Sequence, residues 1–174
     1  METILTIIET ILSRRSIRHY EKKEIPKEIL EKILEAGRQA PSATNRQPVH
    51  FIVITNENLK KELSKGQYNK FIEDAPVTII GCADIAPIIT REWFIVDTTI
   101  ALQNMVIAAW TMGIGLCWIG DFKEKNVKGL LKIPNKWKIV VLITFGYPAE
   151  HFNPRKKKPM TGIVSFNDFT NKEY

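Results

Sequence analysis

The apolar residues of this chain recur at two different spacings, and the alternation between them limits the folds it can adopt. Ile4, Ile7, Ile8, Ile11 and Leu12 are spaced like one face of a helix, whereas short runs of branched residues are typical of strands. Helical patterns cover 2–13, 25–37, 59–64, 68–74, 92–112 and 123–131. Strand patterns cover 49–55, 76–83, 116–119 and 138–145. Strands interspersed with helices predict an α/β or α+β layered domain.

Length and composition predict one globular domain, residues 1–174, in a reducing compartment. The chain has 174 residues, of which 44% are hydrophobic and 25% charged, so it can bury a core without metals or disulfides. Its two cysteines, Cys82 and Cys117, could form one disulfide, but two free thiols are the simpler interpretation. The stretch 100–116 is short and interrupted by polar residues, which argues against a membrane span. No secretory signal pattern opens the chain, and we therefore expect a cytoplasmic protein.

Residue types that carry metal binding or acid–base catalysis are poorly represented. The three histidines (His19, His50 and His151) lie far apart, without a second ligand three or four residues away. The chain contains no GxSxG, GxGxxG or GxxxxGK[ST] motif. We therefore expect no metal site and no catalytic residue of the protein itself.

Basic residues concentrate near the two ends of a chain whose net charge is +6. Arg14, Arg15 and Arg18 form one cluster, and 155–158 form the other. The excess charge fits a generally basic surface, a nucleic-acid surface, or a site for a small anionic ligand. On a continuing helical turn Arg14 and Arg18 would project from one side, with the Ser16 hydroxyl between them, which suits a phosphate. The alternative is a helix C-terminus neutralised by cations.

Two uncharged segments offer further candidate contacts. The loop 41–48 carries Ser, Thr, Asn and Gln side chains between two prolines, which suits a neutral hydrogen-bonding ligand or a turn held by its own side chains. The segment 117–122 places apolar bulk beside Gly120, where backbone can approach a ligand closely. A core strand that ends in a turn would have the same sequence.

Four segments in this order resemble the nitroreductase family of flavin-dependent oxidoreductases. They are SRRSIRHY at 13–20, APSATNRQPVHFIVI at 40–54, DTTIALQNMVIAAWTMGIGLCWIGDF at 97–122 and IVVLITFGYPAE at 139–150. The resemblance implies an α+β fold of three α/β/α layers, with a mixed, mainly antiparallel sheet. It also implies a homodimer that holds one FMN at each of two interface sites. The apolar helix 100–112 would form the dimer face.

The resemblance also assigns roles to individual residues. The stretch Arg14, Arg15, Ser16 and Arg18 would bind FMN, with Arg14 and Ser16 on the phosphate and Arg18 on the ribityl chain or the N1/O2 edge. The loop offered by the partner subunit would be Pro41, Ser42, Ala43, Asn45 and Gln47. The segment passing along the isoalloxazine would be Trp118, Ile119 and Gly120. Arg155 and Lys157 would complete the phosphate site, with Lys156 or Lys158 as substitutes. Asn69 and Lys70 correspond to a polar contact with the pyrimidine edge.

The expected activity is hydride transfer from NADH or NADPH, through FMN, to a nitroaromatic, a quinone or another small organic acceptor by a ping-pong mechanism. One alternative keeps the fold and the flavin but changes the reaction to dehalogenation, flavin cleavage or a biosynthetic dehydrogenation. Another is a non-catalytic flavin carrier. A nucleic-acid-binding module would need aromatic residues between the basic ones, and these clusters have none, so we expect neither nucleic acid nor membrane as a partner. Little chain between Ala83 and Asp97 is available to cover a substrate.

Overall fold

The computed structural model describes residues 6–86, 93–149, 153 and 155–171. Its helices are α1 (Ile7–Ser13), α2 (Lys27–Arg38), α3 (Glu57–Leu63), α4 (Phe94–Thr111) and α5 (Glu124–Leu131). Its strands are β1 (Val49–Ile54), β2 (Val77–Asp84), β3 (Gly115–Ile119) and β4 (Trp137–Gly146). Residues 2–5 of the predicted first helix, Glu92 at the start of the predicted long helix, and His151 lie outside the described residues.

The strands form one sheet in the order β1-β2-β4-β3, with every neighbouring pair antiparallel. Val49 pairs with Ala83, Val77 with Phe145 and Gly115 with Gly146, so the long strand β4 lies inside the sheet. A parallel bridge between Ser16 and Leu116 adds the segment after α1 to the edge of β3. The predicted mixed, mainly antiparallel sheet is therefore confirmed.

Helices cover both faces of the sheet and bury two separate clusters of apolar side chains. On one face α2 and α4 enclose Ile33, Leu102, Met105 and Phe145. On the other face α3 and α5 pack against the side chains of Ile80 and Leu142, among others. The three-layer α/β/α arrangement expected of the chain is confirmed.

The long helix α4 lies directly on the sheet and on α2. A Cβ atom at Gly81 of β2 would come within 2.5 Å of Leu102 Cδ1, so the helix can approach the strand this closely only because the residue there is glycine. Length and hydropathy alone would allow α4 to cross a membrane, with 18 residues and a mean hydropathy of 1.2, but the core helix of a folded domain has the same properties. Its buried side chains, which include Ala101, Val106 and Ala109, instead belong to the core of this domain.

The apolar stripe of α1 faces away from the chain's own core. Thr6 caps the helix by a reciprocal pair of hydrogen bonds with Glu9, and the fully buried residue of α1 is Thr10, beside Thr111 of α4. The four apolar residues of the stripe, from Ile7 to Leu12, are 52–72% exposed. The period of this helix was thus predicted correctly, but no element of the described chain covers its apolar face.

One predicted helix is wrong. The segment 68–74 forms only a short 3-10 turn, Lys70–Ile72, which follows the buried Asn69. Residues 65–69 pass through turns, and Asn69 donates its side-chain amide to the carbonyl of Asp121. This long-range bond fixes the segment in a turn that its sequence pattern alone did not indicate.

Candidate functional site

The arginine-rich segment after α1 is extended, so the helical turn that would have placed Arg14 and Arg18 on one side does not form. The helix ends at Ser13, and the N–H of Ile17 donates to the Leu116 carbonyl at 2.8 Å. Ile17 is buried, and the edge of β3 supplies the hydrogen bonds that a further helical turn would otherwise have to provide. In an extended segment alternate residues share a side, so Arg14, Ser16 and Arg18 still fall together.

A cavity of about 550 Å³ brings the two basic ends of the chain together. It is lined from the first cluster by Arg14, Arg15, Ser16 and Arg18, and from the second by Arg155 and Lys157. The described residues that line it include no carboxylate. Five cationic side chains around one concavity give it a positive potential, which favours an anionic ligand.

The two arginines at the start of this segment have different surroundings. Arg15 donates through Nη1 to the carbonyls of Leu12 and Arg14, each at 2.8 Å, and thus neutralises the end of α1. Arg14 Nη1 and Arg15 Nε are buried, with no hydrogen-bond partner among the described residues. A buried charged donor without a partner costs free energy. An anionic oxygen in the cavity would provide the missing acceptor.

Sequence reasoning missed six further residues of this cavity. They are Thr10, Ile11 and Leu12 of α1, Gln103 and Ile107 of α4, and Asn153. A signal for Gln103 existed, because it is a polar residue within an apolar helix and lies four positions before Ile107 on the same helix face. The others depend on how α1 and the chain end pack beside α4.

Arg18 lines the cationic cavity and also contacts the 3-10 turn Lys70–Ile72. Its guanidinium carbon lies 5.8 Å from the centre of the Phe71 ring, within the range of a cation–π contact. Near Phe71, Asn69 is buried with its amide bonded to Asp121, whereas Lys70 is exposed. The predicted pyrimidine-edge amide therefore already has one backbone partner.

The segment predicted to pass along the flavin ring ends the strand β3. Trp118 is half-buried and packs against the core on the α2 and α4 side. Ile119 points into the opposite core cluster and is almost fully buried, so its side chain is unavailable to a ligand on the surface. Gly120 is exposed just beyond the strand, which leaves its backbone open to close approach.

Neither cysteine has the properties of a reactive thiol. Burial raises the pKa of Cys117, although the positive charges of Arg18 and Arg14 act in the opposite direction. Burial likewise raises the pKa of Cys82 to about 11. Both thiols are free and buried, so thiolate chemistry is disfavoured at both positions.

The loop 41–47 is held in an unusual backbone conformation. Thr44, Asn45 and Gln47 have φ angles of 51°, 56° and 53°, in the left-handed region, which costs roughly 1–2 kcal/mol for a non-glycine residue. The Ser42 hydroxyl accepts the N–H of Gln47 at 2.8 Å. Strain of this kind persists only where surrounding contacts impose it, and it concentrates in ligand-binding segments.

One chain does not bring this loop to the cationic cavity. Pro41, Ser42 and Gln47 line a different cavity of about 520 Å³, between α2, β1 and α4, while Ala43 and Asn45 line neither cavity. The two sets of predicted site residues are therefore separate within a single chain.

Comparison with known proteins identifies the class. A profile of the nitroreductase family matches residues 11–67 and 62–147. A Methanothermobacter thermautotrophicus protein, whose assigned name pairs NADH dehydrogenase with NAD(P)H nitroreductase, is 37% identical over 152 residues, covering 84% of this chain and 80% of that protein. The Bacillus subtilis (strain 168) FMN reductase (NAD(P)H) is 27% identical over 190 residues, covering 96% and 76%.

A solved structure gives the same result for the fold. The FMN-dependent nitroreductase of Clostridium difficile R20291 is similar with a TM-score of 0.81 and 31% identity, covering 93% of this chain and 99% of that one. The chain belongs to the nitroreductase family. It is an oxidoreductase of the nitroreductase type.

Proposed function

We propose that this protein transfers a hydride from NADH or NADPH, through FMN, to a nitroaromatic, a quinone or another small organic acceptor. Bound FMN would supply the redox chemistry, by accepting a hydride from the donor and passing it to the acceptor. The cavity that joins Arg14 and Ser16 to Arg155 and Lys157 is the observation that carries the proposal. FMN is the cofactor and NAD(P)H the electron donor.

The cationic cavity fits the phosphate end of FMN. Arg14 and Arg155 offer planar guanidinium groups, which match phosphate oxygens, and the Ser16 hydroxyl completes the set. The unpartnered Nη1 of Arg14 supports this assignment directly, because a phosphate would satisfy it. Arg15 and Lys157 add positive charge, and Gln103 adds a neutral hydrogen-bonding side chain at the wall.

The remaining predicted residues would hold the ring. Arg18 supplies a positive charge for the N1/O2 edge, and Trp118 with the backbone at Ile119 and Gly120 provides a surface along the ring. The protein itself then needs no catalytic acid or base, because its part is to orient the cofactor and to tune its electronics. Donor and acceptor would use the same space in turn, which is a ping-pong order.

The working unit of this proposal is a homodimer. The exposed apolar residues of α1, with Ile7 at 72% and Leu12 at 69% exposed, form a contiguous patch rather than isolated surface residues. Such a patch is typical of an interaction site. Phe169 in the C-terminal segment is 89% exposed as well. A second copy would cover these side chains and let its loop 41–47 complete the site that one chain leaves open.

The experiment that tests the function starts from the visible absorption spectrum of the purified protein. We expect a yellow protein that releases one FMN per chain on denaturation and that oxidises NADH or NADPH in the presence of acceptors. Double-reciprocal plots at several fixed acceptor concentrations should be parallel. A colourless protein that does not bind added FMN would refute the proposal, and intersecting lines would refute the ping-pong order.

The same assay separates the alternatives. A flavin carrier would bind FMN without oxidising NAD(P)H with any acceptor. A same-fold enzyme with another reaction would bind FMN and give dehalogenated, flavin-cleavage or dehydrogenated products on product analysis. We also propose that residues 1–174 act as one FMN-binding domain in the cytoplasm, since its two buried cysteines are free thiols.

A further inference from the structure

A buried carboxylate on α4 contacts the strained loop from outside it. Asp97 is 3% exposed, and its Oδ1 accepts the backbone N–H of Ala43 at 3.0 Å, across 54 residues of sequence. Its other oxygen, Oδ2, is buried and has no hydrogen-bond partner among the described residues. Asp97 lies within the predicted motif 97–122, but no role follows for it from the sequence.

The hydrogen bond from the Ala43 N–H to Asp97 joins the loop to α4, outside the loop itself. In the described structure, the other hydrogen bonds of residues 42–47 stay within the loop, such as Asn45 N–H to Ser42 O at 2.9 Å and Gln47 N–H to Ser42 Oγ at 2.8 Å. Bonds within the loop fix its internal shape but not its position on the domain. The bond from Asp97 fixes its position relative to α4.

We propose that Asp97 is the positioning residue that holds loop 41–47 in the conformation that meets the flavin. The inference rests on the proposed function, because that function assigns the loop to the flavin. Asp97 acts through Ala43 and contacts neither the cofactor nor a substrate. A loop with three residues in left-handed conformations needs such an external contact, because without it the strained backbone relaxes into more favourable geometry.

The hydrogen-bond acceptor carries this role, and the negative charge does not. Burying a carboxylate with one unpaired oxygen opposes folding, and an asparagine would keep an oxygen at the position of Oδ1 while removing the charge. An alanine would remove the acceptor and leave the N–H of Ala43 without a partner. Asp97→Asn and Asp97→Ala therefore separate positioning from charge.

The first measurement is the FMN affinity of the full-length apo protein. Binding is monitored by the quenching of flavin fluorescence, and the visible circular dichroism of the bound flavin reports its surroundings. We expect Asp97→Ala to weaken binding about 10-fold, the size expected when one buried donor loses its partner, and to change the dichroic spectrum. Asp97→Asn should bind like wild type. The matched control is Thr98→Val, which alters a buried residue of the same helix whose hydroxyl has no partner in the described structure.

The second measurement needs no flavin. Arg46 lies in the loop and is exposed, so trypsin cleavage after Arg46 in the apo protein reports how firmly the loop is held. Cleavage should be faster in Asp97→Ala than in wild type, and unchanged in Asp97→Asn and Thr98→Val. Mass spectrometry identifies the cleavage site.

A loop variant covers the case in which Asp97→Ala fails to fold. Ala43→Pro removes the N–H from the other side of the bond, and Ser42 already has the extended conformation (φ −141°, ψ 158°) that a residue before proline prefers. Ala43→Pro should weaken FMN binding as Asp97→Ala does. The double variant should be no worse than either single one, because both changes remove the same bond.

Three results would overturn the inference. Unchanged FMN affinity and unchanged cleavage in Asp97→Ala, with only a lower melting temperature, would make the residue purely structural. Equal losses in Asp97→Asn and Asp97→Ala would assign the effect to charge. Failure of wild type to bind FMN would overturn the proposed function as well, whereas normal wild-type binding combined with normal Asp97→Ala binding overturns the positioning role alone.

Discussion

Replacing Arg14 by alanine should weaken FMN binding without lowering the thermal stability of the apo protein. In the apo chain the guanidinium Nη1 is buried without a partner, so its removal eliminates a desolvation cost, and the apo melting temperature should stay constant or rise. With FMN bound, the variant lacks a hydrogen bond to a charged phosphate. Such a bond contributes about 1.5–3 kcal/mol, so the FMN dissociation constant of Arg14→Ala should be roughly 10- to 150-fold larger than that of wild type.

The assay is titration of the apo protein with FMN, monitored by flavin fluorescence, together with thermal unfolding without FMN. Lys65→Ala is the matched control, because it removes one positive charge from an exposed ion pair with Glu62 of α3. Neither residue of this pair lines the cationic cavity. Arg14→Lys should bind with intermediate affinity, since it keeps the charge and loses the planar fork. Wild-type affinity in Arg14→Ala would refute the assignment of this cavity to the phosphate.

Three further predictions concern other parts of the chain. If the protein is the proposed homodimer, Leu12→Glu should convert it to a monomer in analytical ultracentrifugation and weaken FMN retention, since burying a leucine contributes about 1.5–3 kcal/mol. A dimer that persists in this variant would exclude the α1 face as the interface. Cys82 in the folded protein, with its pKa raised to about 11, should have a roughly 100-fold smaller thiolate fraction at pH 8 than an ordinary thiol. Ellman's reagent should therefore label Cys82 and Cys117 only after unfolding, and rapid labelling of the folded protein would contradict the burial of these thiols. Burial opposes ionisation of Glu124, but hydrogen bonds from Lys138 and neighbouring groups lower its pKa overall, so its contribution to stability is present at neutral pH and is lost as the pH falls below about 4.5. The free energy of unfolding in urea should therefore differ between Glu124→Gln and wild type at pH 7 and converge in acid. A difference that does not change with pH would contradict the lowered pKa.

Much of the fold could be predicted from local sequence patterns. The runs of branched residues that became β1, β2 and β4 were recognised within one or two residues, because strands are short and their composition is distinctive. The helix pattern of α2 was also clear, and its Ile33 is fully buried as expected. The incorrect prediction of a helix at 68–74 shows where local patterns fail. The turn there depends on a hydrogen bond from Asn69 to a residue 52 positions away.

The candidate site was predicted as a set of segments and not as a geometry. The basic clusters were visible in the sequence because like charges that lie close together along a chain stand out from a mixed surface. Their meeting in one cavity depends on the packing of both chain ends beside α4, which no local pattern encodes. Asp97 was missed for the same reason, since it matters through a partner 54 residues away in the sequence, whereas Gln103, a polar residue within an apolar helix, left a local signal.

The sequence by itself determined most of the helices and strands and showed where basic side chains cluster, because periodicity and charge are properties of neighbouring residues. Only the tertiary structure decided that 14–18 is extended and bridges to β3 at Ser16, that the apolar face of α1 points outward, and that Asp97 accepts a hydrogen bond from the strained loop. Those outcomes are set by which distant groups supply hydrogen bonds and cover apolar surface, and a segment read alone carries no information about its neighbours in space.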